Sequence, residues 1–485
     1  MASLQSLTQY NDVLTPSTSD IRTEYLDPIT QNTYKYTFRL DQSGYLDTNS
    51  MLIFKLLGTA DNNEQRVNMW NGALGAIKRV IFQVGDNIIN DVQDVYKYST
   101  QVRKEAGEHI KADTASTAYS AADSSRVGAV VLNPTDSGAF LGKADGTGGA
   151  FINSHRISTD VDTNPQYGIP LGMLIPALKG QKIPLFLFDK QRILLTFEFN
   201  TSDNFCNNLK TANVAYVGSR ATPANFSGAS SSGTVIPAQV KLVVDYIIVP
   251  ADTQNAIMAQ TQKQGGYQLE FYDVVNIEKN LVGGLQNNAE QSVEHRIGQN
   301  NREVHNIIMW KEAPIASRSR DLAGNTGSSR GNALMLSQAC MGYSKEEFNV
   351  NVDGRDEFDH FVYNPVAQYN EISNVVGADL KVERPFYCND DNTACSQLAT
   401  IESGILGTFK PLALSLRSGQ GGIVGGGRTI GNYPIIFKYK RQAFTPQKVN
   451  VADSSGAVKC NYFCEVSRVA NILNTAAGTN VVVSY

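Results

Sequence analysis

The sequence motif closest to a catalytic one is Gly327-Ser-Ser-Arg-Gly331, which matches the G-x-S-x-G turn that presents a nucleophilic serine in hydrolases. Ser329 would be the nucleophile, and Asp359 and His360 follow in the chain order serine, acid, histidine. Such a turn requires a buried strand immediately before it, whereas residues 317–326 are polar and carry no strand pattern. The acid and the histidine are also adjacent, so one is poorly placed to orient the other. We therefore interpret residues 327–331 as a flexible loop without a catalytic role.

A second group of polar residues follows the pattern that opens a calcium-binding loop, Asn349-x-Asn351-x-Asp353-Gly354. Position twelve of that loop would be His360 instead of a bidentate glutamate, and the flanking residues have strand character. We predict a turn between two strands with Asp353 and Gly354 at its tip. The surrounding acidic residues are interpreted as a solvated loop, with an adventitious cation as the open alternative: Asp353, Asp356, Glu357 and Asp359.

The cysteines are too few for a disulfide framework in a chain of this length. Cys460 and Cys464 lie on one predicted strand, which separates their Cα atoms by about 13 Å, beyond the disulfide limit of about 7 Å. Cys388 and Cys395 flank a short acidic loop that a disulfide could close, but no cysteine spacing matches a zinc site. We expect mostly free thiols, including those of Cys206 and Cys340.

The remaining chemical motifs are incomplete as well. The glycines between 419 and 431 fit neither nucleotide-binding loop pattern. Asn200 and Asn225 begin glycosylation sequons, which we interpret as chance matches because the N-terminal residues show no secretory signal. We therefore predict no catalytic, cofactor-binding or metal-binding residues, no cofactor and no enzymatic activity. The histidines show no metal-binding spacing and are expected on the surface or in the core: His109, His155, His295, His305 and His360.

Composition points to a large β-rich chain. The chain has 485 residues, only 18% of them charged against a typical ~25%, with 40 Gly, 21 Tyr and 20 Phe. Its net charge of −4 provides no positive field, so we expect no direct sequence-specific binding of nucleic acid. No apolar run reaches the length of about 18 residues that a membrane span requires.

Hydrophobic patterning predicts the strands of the first half. Tyr36, Phe38 and Leu40 alternate with polar residues, which indicates a sheet with one buried face. From Asp91 the spacing changes and predicts a short helix over residues 92–104 with Asp91 as its cap. Further strands are predicted at residues 51–57, 77–84, 185–188, 192–199 and 241–249, and long polar loops at 111–168 and 201–233.

Pro250 ends the last of these strands, and Asp252 then caps a predicted helix that stops at Gly265-Gly266. The second half repeats the style, which predicts an all-β fold of two tandem β-sandwiches with long loops and a few short helices. Its predicted strands are at residues 267–271, 304–310, 348–352, 412–416, 435–439, 462–470 and 481–485. The predicted organisation is an extended N-terminal arm (1–28), a first sandwich (29–250), a helical linker (251–266) and a second sandwich (267–485).

Several segments carry a more specific signal through their order and spacing. They are residues 37–47 (TFRLDQSGYLD), 76–96 (AIKRVIFQVGDNIINDVQDVY), 245–252 (DYIIVPAD), 267–270 (YQLE), 304–311 (VHNIIMWK) and 462–485. Together they resemble double jelly-roll major capsid proteins of eukaryotic double-stranded DNA viruses, including nucleocytoplasmic large DNA viruses, virophages and polinton-like viruses. The resemblance covers nearly all of residues 30–485, and it implies that each predicted sandwich is a jelly roll.

The resemblance implies a structural role in a virion. In that family three chains form a pseudo-hexagonal capsomer, and such capsomers tile an icosahedral capsid. We therefore expect a homotrimer that contacts neighbouring capsomers and minor capsid and penton proteins, with an inner membrane as a further candidate partner. The expected location is the capsid, assembled inside the host cell in its cytoplasm. Loops 111–168 and 201–233 are candidates for an outer tower, and the arm is expected to order only on contact with a neighbour.

The alternative is a carbohydrate-binding or carbohydrate-cleaving β-sandwich protein, because jelly rolls also host lectins and enzymes. This alternative predicts a concave site lined by aromatic and carboxylate side chains. A mechanism with paired carboxylates stays open at this point, because Asp and Glu are numerous and their separation in space is not visible in the sequence.

Overall fold

The computed structural model describes the strand framework of the chain. It describes residues 20–59, 64–67, 73–95, 130–133, 156–157, 159–164, 166–178, 181–201, 206–209, 235–281, 290–312, 343–356, 412–415, 428–443, 458–475 and 478–484. Strands dominate these residues, and the longest helix among them is α1 (Ala251–Lys263). None of the helices in these ranges is long and apolar enough to cross a lipid bilayer.

Eight strands of the first half form two facing sheets, which together make the first unit. They are β1 (Asp20–Leu26), β2 (Lys35–Leu40), β3 (Met51–Gly58), β4 (Ile77–Val84), β5 (Asn87–Gln93), β6 (Gln166–Pro170), β7 (Ile193–Phe199) and β8 (Val235–Ile248). The first sheet has the order β1-β8-β3-β6 and the second has the order β2-β7-β4-β5, with all neighbours antiparallel.

The second half repeats this arrangement and forms the second unit. Its strands are β9 (Tyr267–Leu281), β10 (Glu290–Ile297), β11 (Glu303–Glu312), β12 (Tyr343–Val352), β13 (Arg355–Asp356), β14 (Leu412–Ser415), β15 (Ile435–Ala443) and β16 (Val458–Thr475). The sheets have the orders β9-β16-β11-β14 and β10-β15-β12-β13, and β17 (Gly478–Ser484) pairs with β16. In both units the first strand lies beside the eighth, which is the eight-strand jelly roll. The prediction of two tandem jelly-roll sandwiches is confirmed.

Alternating side chains hold the two sheets of each unit together. Every second residue of β7 is buried from Ile193 to Phe199, as the period of two requires. Across the first sandwich the rings of Phe54 and Phe199 meet edge to face, with centroids 5.2 Å apart. In the second sandwich the rings of Phe437 and Tyr462 lie 4.9 Å apart. Such aromatic pairs add about 0.5–1.5 kcal/mol to the stabilisation from buried area.

Short elements occupy the connections between these strands. The short strands are Thr30–Gln31, Tyr45–Leu46, Glu64–Val67, Val130–Asn133, Arg156–Ile157, Ile183–Pro184, Cys206–Leu209 and Arg428–Thr429. One-turn helices are Ala73–Ala76, Val161–Thr163, Leu171–Leu174, Pro176–Leu178 and Leu185–Phe188. Three of the short strands come from three different connections and pair into one small sheet: Arg156–Ile157, Glu64–Val67 and Cys206–Leu209.

The two jelly rolls stand side by side and point in the same direction. Along their contact Asn90 of β5 binds Asp273 of β9, and Asp94 further along the chain binds Asn276. Both strands therefore run the same way through the contact. The helix α1 connects the end of β8 to the start of β9, which are equivalent ends of the two units.

This orientation gives the molecule two different ends, because connections alternate between the ends of a jelly roll. At one end, which we call the loop end, lie the described strand ends at residues 58 and 77, 93 and 166, 199 and 235, 312 and 343, and 356 and 412. The opposite end, the turn end, carries the two-residue turns 85–86 and 353–354, the connection 171–192 and the strand ends at residues 415 and 435. The strands on either side of the predicted loops 111–168 and 201–233 therefore end at the loop end, and β6 already begins at residue 166.

One local prediction in the first unit starts too early and another is wrong. Residues 92 and 93 of the predicted helix 92–104 continue strand β5, because Asp91 binds Arg79 of the neighbouring strand at 2.6 and 2.7 Å instead of capping, and Val95 is the first helical residue. Residues 96–104 of that predicted helix lie outside the described ranges. The predicted strand 185–188 is a 3-10 helix, since all four of its side chains are buried and an unbroken apolar run does not distinguish a strand from a helix.

The N-terminal segment also differs from its prediction. Residues 20–26 belong to the predicted extended arm (1–28), yet they form β1, which pairs with β8 along its whole length from Asp20 opposite Ile248 to Leu26 opposite Leu242. All β1 side chains are exposed or half-buried, so the segment has the polar pattern of an arm while its backbone completes a sheet. Residues 1–19 lie outside the described ranges.

Candidate functional site

The contact between the two jelly rolls is the site that these elements build. One side consists of β5 and the connection 171–192, and the other side consists of β9, β16 and β17. Apolar side chains of both units merge there into one core, which Leu269 and Phe271 of β9 join. The two units are therefore packed on each other and are not merely tethered by α1.

A buried ion pair lies at the centre of this contact. Arg468 Nη1 donates to Asp273 Oδ2 at 2.5 Å and to the backbone oxygen of Ile89 at 3.2 Å. Asn90 Nδ2 donates to Asp273 Oδ1 at 3.1 Å, and the backbone N–H of Ala177 donates to Asn90 Oδ1 at 3.1 Å. We call Asp273, Arg468 and Asn90 the interdomain cluster, because it joins two strands of the second unit to the first.

Asp273 is a buried carboxyl group whose charged form depends on the groups that contact it. The residue is 4% exposed, and burial raises the pKa of its carboxyl group above the ordinary value. Arg468 is the chief opposing influence, followed by the hydrogen bonds from Asn90 and from the backbone N–H of Val274. The carboxylate is therefore stabilised by groups from both jelly rolls, which fixes how the units meet.

Further hydrogen bonds extend the contact on either side of the cluster. Gln181 Nε2 donates to the backbone oxygen of Glu270 at 2.9 Å, and Gln191 Nε2 donates to that of Thr479 at 2.6 Å. Toward the loop end, Asn276 Nδ2 donates to Asp94 Oδ2 at 3.1 Å. These hydrogen bonds lie along the contact from the turn end toward the loop end, so the two jelly rolls form one body.

The interdomain cluster is not predicted by any motif in the sequence, although one signal for it exists. Tyr267, Leu269 and Phe271 alternate as buried residues, and Asp273 takes the next position in the same phase. A carboxylate in a buried phase needs a buried partner. The pattern therefore indicates a buried polar contact at residue 273, but it does not indicate that Arg468 and Asn90 complete it.

Each jelly roll also has an edge that the contact leaves uncovered. In the first unit the Tyr36 hydroxyl of β2 donates to the backbone oxygen of Pro237 of β8, and Phe199 of β7 faces Phe54 of β3. The sheets are thus aligned so that β1 and β2, with the short strand Thr30–Gln31 paired outside β2, form the edge opposite β5 and β6. In the second unit Tyr462 of β16 faces strands β10 and β15, so β13 and β14 form the edge opposite β9. The β1 edge and the β13 edge are the two outer edges of the body.

Exposed apolar side chains occur along the β1 edge and near the turn end of the second unit. Ile21 and Tyr25 of β1 are 65% and 69% exposed, and Ile29 beyond the end of β1 is 50% exposed. On the second unit Tyr433, in the connection 416–434 that precedes β15, is 65% exposed. Large exposed apolar side chains on a sheet edge are typical of surfaces that another chain covers.

The residues considered for catalysis lie outside the described part of the chain. They are Ser329, Asp359 and His360, so the interpretation of residues 327–331 as a loop stays a prediction. The same holds for Cys340, Cys388 and Cys395, for His109, His155 and the Asn225 sequon, and for glycines 419–427. Asn200 of the other sequon is buried, with its Nδ2 donating to the backbone oxygen of Gly75 at 3.2 Å.

The calcium-like pattern forms the turn that the sequence predicts. Asp353 and Gly354 connect β12 to β13 with φ angles of 54° and 83°, which is the geometry of a two-residue hairpin turn. Asp356 accepts hydrogen bonds from Lys438 Nζ at 2.9 Å and Asn351 Nδ2 at 2.7 Å, and these partners lower the pKa of its carboxyl group. Among the described residues no group of histidine, cysteine and carboxylate side chains is arranged to hold a metal ion, and Glu357 and Asp359 lie outside them.

Two buried cysteines lie on one strand, as predicted. Cys460 and Cys464 both lie on β16, and neither forms a disulfide. Burial raises the pKa of the Cys464 thiol to about 12, so it stays protonated at neutral pH. Cys206 begins the short strand Cys206–Leu209.

One serine and one histidine form a close pair that the sequence did not indicate. His305 Nε2 lies 2.6 Å from Ser467 Oγ, and Glu303 Oε1 lies 3.7 Å from the same nitrogen. In a nucleophilic triad the serine hydroxyl binds one ring nitrogen of the histidine and the acid binds the other. The histidine can then accept the serine proton while the acid orients the ring. Here the serine and the acid share one nitrogen, and His305 is fully buried. The second described histidine, His295, is also buried, with Nδ1 2.7 Å from the Tyr462 hydroxyl.

Comparisons with known proteins identify the fold. No protein-family model matches the sequence, and no curated protein matches it either. PBCV-1 VP54, as fitted into a cryo-EM reconstruction of the virophage Sputnik, superposes with a TM-score of 0.58 at 10% identity, covering 96% of this chain and 98% of that one. The PBCV-1 virus capsid gives 0.54 at 11% identity, covering 96% and 98%, and the Sputnik virophage structure gives 0.51 at 9%, covering 96% and 88%. The chain therefore has the double jelly-roll fold of viral capsid proteins, as its sequence resemblance implied.

Proposed function

We propose that this chain is a major capsid protein whose homotrimers form pseudo-hexagonal capsomers of an icosahedral double-stranded DNA virus capsid. The observation that carries the proposal is a double jelly roll matched over 96% of this chain and 98% of PBCV-1 VP54. The function follows from assembly and requires no chemistry, so the protein is proposed to be non-enzymatic.

The geometry of the body supports this proposal. The interdomain cluster holds two jelly rolls in parallel, which gives a block with a loop end, a turn end and lateral edges. Such a block can serve as one third of a tile, with its loop end on one face of a shell and its edges against other blocks. We propose the loop end as the outer surface, and neighbouring capsomers, minor capsid proteins and penton proteins as the partners at the rim.

The experiment that tests the proposal is a measurement of native mass by light scattering, followed by electron microscopy of the assembled protein. Three copies of the 52.9 kDa chain give a trimer of about 159 kDa, which is the expected result. The expected images show particles with pseudo-hexagonal outlines. A folded chain that stays monomeric and forms no capsomer when co-expressed with the other virion proteins would contradict the proposal, and binding on a glycan array would then favour the carbohydrate-binding alternative.

A further inference from the structure

We infer that the contact between His295 and Tyr462 is an acid-sensitive latch that holds the two sheets of the second jelly roll together. His295 belongs to β10 in one sheet, and Tyr462 belongs to β16 in the facing sheet. Protonation of the buried imidazole would place a positive charge between the sheets and open the second jelly roll before the first. The latch is a property of the single chain, and only its use in a capsid rests on the proposed function.

The imidazole of His295 joins three strands through its two ring nitrogens. Nδ1 lies 2.7 Å from the Tyr462 hydroxyl, and Nε2 lies 3.2 Å from the backbone oxygen of Asn280 on β9. A carbonyl oxygen only accepts, so Nε2 carries the proton of the neutral ring, and Nδ1 accepts the hydrogen bond that the Tyr462 hydroxyl donates. The neutral form therefore satisfies both contacts and connects the two sheets.

The surroundings of the ring favour this neutral form. His295 is 5% exposed, Tyr462 is fully buried, and the ring of Phe437 lies 4.9 Å from that of Tyr462. Transfer of a charge from water into such an apolar interior is costly. A proton added at Nδ1 also turns that nitrogen from an acceptor into a donor, so the Tyr462 hydroxyl must reverse its hydrogen bond. Both effects oppose the imidazolium while the sandwich is closed.

Lysines on the sheet of Tyr462 add to this opposition. Lys279 of β9 and Lys311 of β11 are both paired with Cys460, which lies two residues from Tyr462 and therefore has the same phase in the sheet. Positive groups on the inward phase disfavour a further positive charge on His295.

The other charged groups near this interior do not reverse the balance. Burial raises the pKa of the Cys464 thiol, and the positive charge of Arg302 partly opposes that rise, so a third cation lies toward the turn end. On the sheet of His295, Glu346 and Arg441 share its phase and are paired with each other. The residues on either side of His295 in β10 are exposed on the opposite face, and they are Glu294 and Arg296.

The sign of the pH dependence follows from where the proton binds. The opened jelly roll exposes His295 to water, where a histidine has a pKa of about 6.5, whereas the closed one favours the neutral ring. The opened state therefore binds more protons, so the closed state is stable at neutral pH and loses stability as pH falls through about 6.5. For one histidine, the equilibrium constant for opening rises by up to about 25-fold from pH 7 to pH 5.

Amide hydrogen–deuterium exchange of the full-length chain at pH 7 and pH 5, followed by mass spectrometry, tests the latch. After correction for the pH dependence of chemical exchange, peptides from β10 and β15 are expected to open up to about 25-fold more at pH 5. Peptides from β4 and β7 are the internal reference in the first jelly roll, because these strands contain no histidine, and they are expected to change little. Equal changes in both jelly rolls, or no change in the second, would overturn the inference.

The variant His295→Gln assigns the effect to one residue. Glutamine does not titrate, yet its amide offers a donor for the Asn280 oxygen and an acceptor for the Tyr462 hydroxyl, so the extra opening at pH 5 should disappear. The matched control is His305→Gln, because His305 is also buried in the second jelly roll but has the Glu303 carboxylate 3.7 Å from Nε2. The control is expected to keep the pH dependence of the wild type. Unchanged pH dependence in His295→Gln, or its loss in the control, would overturn the assignment.

A second variant keeps the inference testable if His295→Gln does not fold. Tyr462→Phe retains the aromatic ring and removes only the hydroxyl that donates to Nδ1. It is expected to open more than the wild type at pH 7, because the contact between the sheets is lost, and to respond less to acid, because no hydrogen bond has to reverse. Opening equal to that of the wild type at both pH values would contradict the latch.

The proposed function is tested separately by native mass at pH 7. A trimer whose β10 and β15 peptides show no acid response would overturn the latch and leave the capsomer intact. A monomer with the expected acid response would overturn the capsomer and leave the latch intact.

Discussion

Replacing Arg468 by alanine is the sharpest test of how the two jelly rolls are held together. The substitution removes the 2.5 Å contact to Asp273 and leaves a carboxyl group that is only 4% exposed without its cationic partner. Breaking a buried ion pair from one side costs about 3–5 kcal/mol. Because Asn90 and the N–H of Val274 still donate to Asp273, we expect the free energy of unfolding to fall by about 3 kcal/mol, the lower end of that range.

The penalty is expected to depend on pH with a definite sign. Burial raises the pKa of Asp273 in the folded protein, and the loss of Arg468 removes the main opposing influence, so the folded pKa rises further. A raised folded pKa means that folding favours the protonated acid, so stability is retained below the unfolded pKa and is lost as pH rises through the folded pKa. Arg468→Ala should therefore be tolerated better in mild acid than at neutral pH.

Equilibrium urea unfolding, followed by far-UV circular dichroism on either side of this pH window, measures the effect. The control is the double variant Asp273→Asn with Arg468→Leu, which removes both charges and is expected within about 1 kcal/mol of the wild type. Limited trypsin digestion at the linker, residues 250–266, reports whether the jelly rolls separate. A single variant that unfolds like the wild type, or a penalty equal at all pH values, would refute the reasoning.

Three further predictions follow from local features. Gly354→Ala is expected to lower the free energy of unfolding by about 1–2 kcal/mol, because φ is +83° while no neighbouring atom lies within 4 Å of the added Cβ. Gly298→Ala, also in open space but without a positive φ, should be neutral. Equal effects of the two substitutions in thermal unfolding would contradict the backbone explanation. Phe54→Ala should cost about 3–5 kcal/mol because it empties a fully buried ring position, against little change for the exposed Ile88→Ala, and a loss below about 1 kcal/mol would contradict the packing. Cys460 and Cys464 should resist alkylation in the native protein at pH 8 and react after denaturation, as mapped by mass spectrometry; fast native labelling would show that β16 is accessible.

Strong patterns in the sequence predicted the strands that build the cores. Ile77–Val84 has the bounds that its apolar run predicted, and the alternation of Tyr36, Phe38 and Leu40 identified the buried face of β2. Strand β10, Glu290–Ile297, was missed because one of its buried positions is His295, which patterning counts as polar. That histidine can be buried because the Tyr462 hydroxyl and the backbone oxygen of Asn280 are hydrogen-bond partners of its two ring nitrogens. Both partners lie outside the short segment over which hydrophobic alternation is judged.

The contact between the units was much less accessible to sequence reasoning. Asp273 meets Arg468 across 195 residues and Asn90 across 183 residues, so no local spacing relates them. The duplicated strand order was expected in outline, but the parallel orientation depends on where β5 crosses β9. The same limit explains why β1 was assigned to an arm, because its side chains are polar and its partner β8 lies more than two hundred residues away.

Joining both jelly rolls in one chain changes the kinetics and energetics of building the proposed capsomer. Each association of separate bodies costs about 4–15 kcal/mol in lost translational and rotational freedom. A capsomer of six independent jelly rolls would meet that cost at five encounters, whereas three linked pairs meet it at only two. The interdomain cluster and α1 thus complete the contact between jelly rolls during folding of each single chain, where it does not depend on protein concentration. Dilute, newly made chains would then form a capsomer through few encounters, and the contacts between chains would be left to determine when it comes apart.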